Sequence, residues 1–99
     1  MEIRREKEGS KLTIAVEGKI NAVTARDLEK VVDSELSGIT ELIFDLKDLE
    51  YTSSAGLRQF LAAQQIMDKQ GTMVIRNANE TVMEIFKETR FTDLLNIQQ

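Results

Sequence analysis

The spacing of apolar positions changes period several times along this chain. From Lys11, the residues Leu12, Ile14 and Val16 alternate with Thr13, Ala15 and Glu17. A period of two predicts a strand with one buried face. The stretch before it, "EIRREK", has little apolar content and is expected to pair with that strand as an edge, turning near Gly9 and Ser10. In "TARDLEKVVDSELSG" the period lengthens, and Leu28, Val31, Val32 and Leu36 fall on one helical face. Thr24 is the expected N-cap, with Asp27 three residues on, and Gly38 is the expected stop. "ELIFDL" is a short continuous apolar run that fits a buried central strand.

"AGLRQFLAAQQIMDKQG" reads as a second helix, with Gly56, Phe60, Ala63 and Met67 on one face, Leu57 and Leu61 beside them, and Gly71 at its end. "TMVIRN" is another strand. "NETVMEIFKETR" is a third helix capped by Asn79, with Val82, Ile85 and Phe86 inward. "FTDLLNIQQ" predicts a turn or short helix and then a last strand at Leu95 to Ile97, while "KINAV" and "DLEYTSS" read as loops. Strands alternating with helices imply a mostly parallel sheet joined by right-handed crossovers, with an antiparallel edge from the first hairpin. No linker, repeat or low-complexity tract interrupts the pattern. One α/β domain with about four helices is expected over residues 1–99.

Composition narrows the chemistry. The chain has no Cys, which excludes disulfides and thiolate sites, and no His, which excludes a Ser-His-Asp triad. No metal site, cofactor or phosphate-cradling glycine loop is expected. The formal net charge of -4, with no basic patch, argues against nucleic acid as a partner. No apolar run reaches bilayer length, so no membrane insertion is expected, and the charged N-terminus does not resemble a secretory signal. A cytoplasmic location is the expectation.

In sheets of this kind, functional groups gather in loops beyond the carboxyl ends of the strands. Two loops qualify: the one around Asn21 and Ala22, and the one from Lys47 to Ser54. The stretch "YTSSAGLR" places Ser53 and Ser54 at the start of the second helix, where backbone N–H groups are free and the dipole is positive. A serine there serves as an N-cap. It also suits a phosphate, which free N–H groups accommodate. Consecutive serines allow both: Ser53 caps and Ser54 presents its hydroxyl. Ala55 and Gly56 leave that hydroxyl unshielded, and Gly56 is equally explained by close helix-to-sheet packing. A hydrolytic Ser54 would need Lys47 or a carboxylate as its base, so an enzyme is not expected.

The chain resembles a STAS domain of the anti-sigma factor antagonist family. The resemblance lies in "LTIAVEGKINAVTARDLEKVV", "TMVIRNANETVMEIFKETRF" and, most specifically, "FDLKDLEYTSSAGLRQFL". It implies a STAS fold and a partner switch. The antagonist binds an anti-sigma factor that is also a serine kinase, is released when the kinase phosphorylates one serine, and is reset by a metal-dependent serine phosphatase. In the family motif the acceptor lies two positions before the glycine, which here is Ser54, with Ser53 as second choice. The partner surface this implies comprises Asn21, Ala22, Val23, Ser53, Ser54, Leu57 and Arg58, expected on one exposed face. Ser53 and Asn21 stand where the family often has Asp. Asp45 and Asp48 supply negative charge nearby. The alternative is a STAS domain that is not phosphorylated and serves as a scaffold subunit of a lipid-transport or signalling complex.

Overall fold

A computed structural model describes residues 1–98. Strand β1 (Glu2–Glu8) turns at Gly9 into β2 (Lys11–Ile20), and the two pair antiparallel from Glu2 opposite Glu17 to Glu8 opposite Lys11. Helix α1 (Ala25–Glu35) leads to β3 (Glu41–Asp45), and β4 (Leu49–Thr52) runs directly into α2 (Ser54–Met67). Then come β5 (Thr72–Arg76), α3 (Glu80–Glu88), a 3-10 turn (Phe91–Asp93) and β6 (Ile97–Gln98). The sheet order is β1-β2-β3-β5-β6, with β4 on β2, and every pairing except β1 with β2 is parallel. This is the mixed, mostly parallel α/β fold that the alternating periods predict, with three α-helices and a 3-10 turn where about four helices were expected.

The period-two residues of β2 meet the helical stripes. Leu12, Ile14 and Val16 join Leu42, Phe44, Met73 and Ile75 from the neighbouring strands. They pack against Leu28, Val31 and Val32 of α1, against Leu57, Phe60, Ala63 and Met67 of α2, and against Val82 and Phe86 of α3. Phe60 is the hinge of this packing. Its ring meets Phe44 edge-on at 5.1 Å between centroids and Phe86 at 6.1 Å. Such pairs contribute about 0.5–1.5 kcal/mol beyond area burial. Ile43 is also buried but lies outside this cluster, on the opposite face of its strand. The inward positions of α3 are Val82, Met83 and Phe86, with Ile85 only partly buried.

Three expectations about local structure are corrected, the first being that "KINAV" is all loop: its Lys19 and Ile20 belong to β2. The stretch read as the loop "DLEYTSS" contains β4, which exists because β2 offers it a second partner beyond β3. β2 pairs with β3 through Lys11–Ala15 and then with β4, Gly18 opposite Leu49, Lys19 opposite Tyr51 and Ile20 opposite Thr52, the register shifting between Gly18 and Lys19. Thr24 does not cap α1 with its side chain: its backbone is already helical, at φ −72° and ψ −21°. Asn21 does that work instead. Its Oδ1 accepts from the N–H groups of Val23 at 2.9 Å and Thr24 at 2.8 Å.

Candidate functional site

A register shift between β2 and β4, which leaves Glu50 of β4 unopposed, builds the site. Gly18 has φ +91°, a left-handed conformation that a side chain would strain, and a Cβ there would stand 3.3 Å from Met1 Cα. Past this shift β2 carries the chain to Ile20, whose carbonyl accepts from Ser53 N–H at 2.8 Å. One hydrogen bond therefore ties the end of β2 to the start of α2, and the Asn21 loop follows at once. The two loops expected to converge do so.

At the start of α2 the two serines divide the work. Ser53 has extended backbone, at φ −83° and ψ 173°, and its Oγ accepts from Gly56 N–H at 3.3 Å. Ser54 is the first helical residue, and its hydroxyl is exposed and takes part in no hydrogen bond among the described residues. Thr52, one residue before the pair, is buried at 1% exposure and donates to Ser53 O. Of the three adjacent hydroxyls, only that of Ser54 is both exposed and unengaged. α2 also has no acidic residue in its first turn, whereas α1 has Asp27 and α3 has Glu80. Its positive helix end is thus unmatched by any acidic side chain of its own first turn.

Gly56 brings this turn close to the sheet. A Cβ on it would collide with Thr52 Oγ1 and lie 2.8 Å from Ile20 Cγ2. Here the close-packing account of the glycine holds.

Asn21, Ala22, Val23, Ser54 and Arg58 are exposed, and Ser53 is half-buried. Val23, at 73% exposure, is the most exposed large apolar side chain among the described residues. Leu57 departs from the expected exposed face. It is buried at 3%, because it lies three residues before Phe60 and turns with it into the core. Asn21 spends its side-chain oxygen on its own turn and makes no bond to the serines. Asp45 accepts from Lys47 N–H and Asn77 Nδ2, and Asp48 pairs with Arg4 at 3.7 Å, so neither carboxylate engages Ser53 or Ser54. Lys47 lines a hollow with Arg4, Asp45 and Asp48, apart from the groove beside Ala55 and Arg58. Sequence reasoning did not mark Arg26 and Glu29 of α1, which line that groove with Ala22. Their helical spacing was visible, but their approach to α2 depends on how the two helices pack. Among the described residues no cluster of acidic side chains is fit to hold a metal ion, and no helix is long and apolar enough to cross a membrane.

BtrV of Bordetella bronchiseptica, named as a candidate anti-sigma factor antagonist, is 29% identical over 99 residues, covering 98% of this chain and 85% of BtrV. An anti-sigma factor antagonist from Mycobacterium paratuberculosis superposes with TM-score 0.87 at 20% identity, covering 97% of this chain and 83% of that one. The anti-sigma factor antagonist SpoIIAA in its unphosphorylated form superposes with TM-score 0.78 at 13% identity, covering 99% and 88%. Its phosphorylated form, from Bacillus, gives 0.71 at 12% identity, covering 99% and 92%. The STAS domain family matches residues 2–99, and with this fold the chain belongs to the STAS domain family.

Proposed function

We propose that this protein is an anti-sigma factor antagonist whose binding to an anti-sigma factor is switched by phosphorylation of Ser54. The observation that carries the reading is the division of labour at α2: Ser53 spends its oxygen on the cap, and Ser54 stands free on a first turn with no acid. The name of BtrV and the two solved forms of SpoIIAA support it.

In this reading the chain is a substrate and binding partner, not an enzyme, and acts in the cytoplasm without nucleic acid. The anti-sigma factor is also the serine kinase. Ser54 Oγ forms a bond to the γ-phosphorus of ATP, the bond from that phosphorus to ADP breaks, and the hydroxyl proton passes to a base of the kinase. A metal-dependent phosphatase returns the hydroxyl by hydrolysis, releasing inorganic phosphate. Ser54 and Arg58, with the Asn21–Val23 loop, form the docking surface, and Val23 supplies an apolar contact. Leu57 supports that surface from beneath. Phosphate adds nearly two negative charges there. A penalty of about 1.4 kcal/mol weakens binding tenfold, so one unpaired interfacial charge is enough to separate the partners without refolding.

The test is phosphopeptide mass spectrometry on the protein taken from its native cell. Phosphate on Ser54 alone is the expected result. Phosphate on Ser53 moves the acceptor by one residue. No phosphate under any growth condition, together with none from the cognate kinase in vitro, replaces this reading with an unphosphorylated scaffold subunit.

A further inference from the structure

The N-terminal halves of α1 and α2 enclose a shallow groove of about 140 Å³. Its small residues are Ala22, Ala25 and Ala55, and two guanidinium groups, Arg26 and Arg58, line it. Neither arginine takes part in an ion pair among the described residues; Arg4 and Arg5 do, and Arg76 and Arg90 do not. The single carboxylate lining the groove is Glu29. Ser54 does not itself line the groove, but its chain neighbour Ala55 does, so the two guanidinium groups line a hollow that begins one residue after Ser54. Helical side chains lean toward the N-terminus of their own helix. Arg58 stands four residues after Ser54 and so reaches back over the turn that Ser54 begins. Arg26, the second residue of α1, leans toward the same end of the molecule.

We propose that Arg58 and Arg26 form a clamp for a phosphate monoester on Ser54, holding the modified side chain against its own domain. The inference rests on the reading of Ser54 as a phosphoacceptor and adds a second consequence to modification. A phosphate adds charge to the docking surface, and it also withdraws two arginines that are otherwise free to meet acidic groups of a partner. Guanidinium suits the role because its planar fork binds phosphate oxygens in pairs.

The test does not need a kinase. Phosphoserine is inserted at position 54 during translation, and the second ionisation of the phosphate is followed by ³¹P chemical shift against pH. Arg58→Gln and Arg26→Gln are compared with the unsubstituted phosphoprotein, and Lys69→Gln, at the far end of α2, controls for net charge. All three residues are exposed, so the fold should be retained, and melting curves check it. Cations held near the phosphate favour its dianion and lower that pKa. Each arginine substitution should therefore raise it, by roughly 0.2–0.7 unit for an exposed ion pair, while Lys69→Gln leaves it unchanged. If either arginine variant shifts the pKa no more than Lys69→Gln does, the clamp is wrong. A shift seen in a protein that no kinase modifies would keep the clamp and remove the switch. No shift in a protein whose phosphate still releases its partner would do the reverse.

Discussion

The first turns of α2 and α3 can be compared residue by residue. Ser53 and Asn79 both cap from extended backbone, at φ −83°, ψ 173° and φ −75°, ψ 176°. Both accept from the N–H three residues on, Gly56 at 3.3 Å and Val82 at 2.9 Å. The next position separates them. In α3 it is Glu80, a permanent negative charge at the positive end of the helix; in α2 it is Ser54, a neutral hydroxyl. Asn79 also donates to Leu49 O at 2.9 Å, which ties its helix start to β4. The third helical position differs as well. Val82 fills the core with a side chain, whereas Gly56 has none and lets the backbone press against Thr52 and Ile20. One helix start is finished electrostatically and the other is left open, with a hydroxyl where a charge can be added.

The largest effect should come from the glycine. Gly56→Ala adds helix propensity, but its Cβ collides with Thr52 Oγ1 and Ile20. Overpacking of this kind costs about 1–3 kcal/mol, and urea denaturation should show a loss in that range. An unchanged or stabilised protein would mean that α2 is not pressed against β4 as described. The caps come next. Asn79→Ala should cost about 1–2 kcal/mol and Ser53→Ala about 0.5–1 kcal/mol, since caps span that range and the Ser53 bond is the longer. Equal losses in the two variants would erase this difference between the caps. The smallest effects concern charge. Glu80→Gln should destabilise by roughly 0.3–1 kcal/mol, and Ser54→Asp should stabilise by a similar amount, both diminishing in high salt. The same sign for both would show that the end of α2 is not open to a negative group.

These two helix starts were legible in the sequence to different depths. The caps Ser53 and Asn79 follow from serine and asparagine standing just before helical periodicity. Ser54 as the first residue of α2 follows from the turn-then-helix pattern after "FDL". The strand before it was hidden. β4 is four residues long, and its two buried members, Leu49 and Thr52, are three apart, a spacing that shows no alternation. It is held by its neighbour β2, and the shift in their register between Gly18 and Lys19 is a tertiary arrangement that no local window contains. The capping of α1 was misjudged for a related reason. Thr24 sits next to the helix, but the turn begins at Asn21, so the side chain that reaches free N–H groups is the earlier one. Leu57 was grouped with the exposed partner surface at the converging loops, although its helical spacing already set it beside the inward face of α2. One helical step of about 100° per residue is enough to carry it into the core. The groove between α1 and α2 could not be read at all, because Arg26 and Arg58 come to line one groove only once the helices are packed.

The central claim is that one added charge at Ser54 acts in opposite directions on the domain and on its complex. Melting temperature and affinity for the anti-sigma factor of the same cell should be measured side by side for the unsubstituted protein, Ser54→Ala and Ser54→Asp. The account predicts that Ser54→Ala keeps both. It predicts that Ser54→Asp keeps or raises the melting temperature while affinity falls by about tenfold or more, corresponding to about 1.4 kcal/mol. A misfolded variant cannot produce that pair of results. Equal affinity for all three proteins would contradict the account and leave Ser54 an ordinary first residue of a helix.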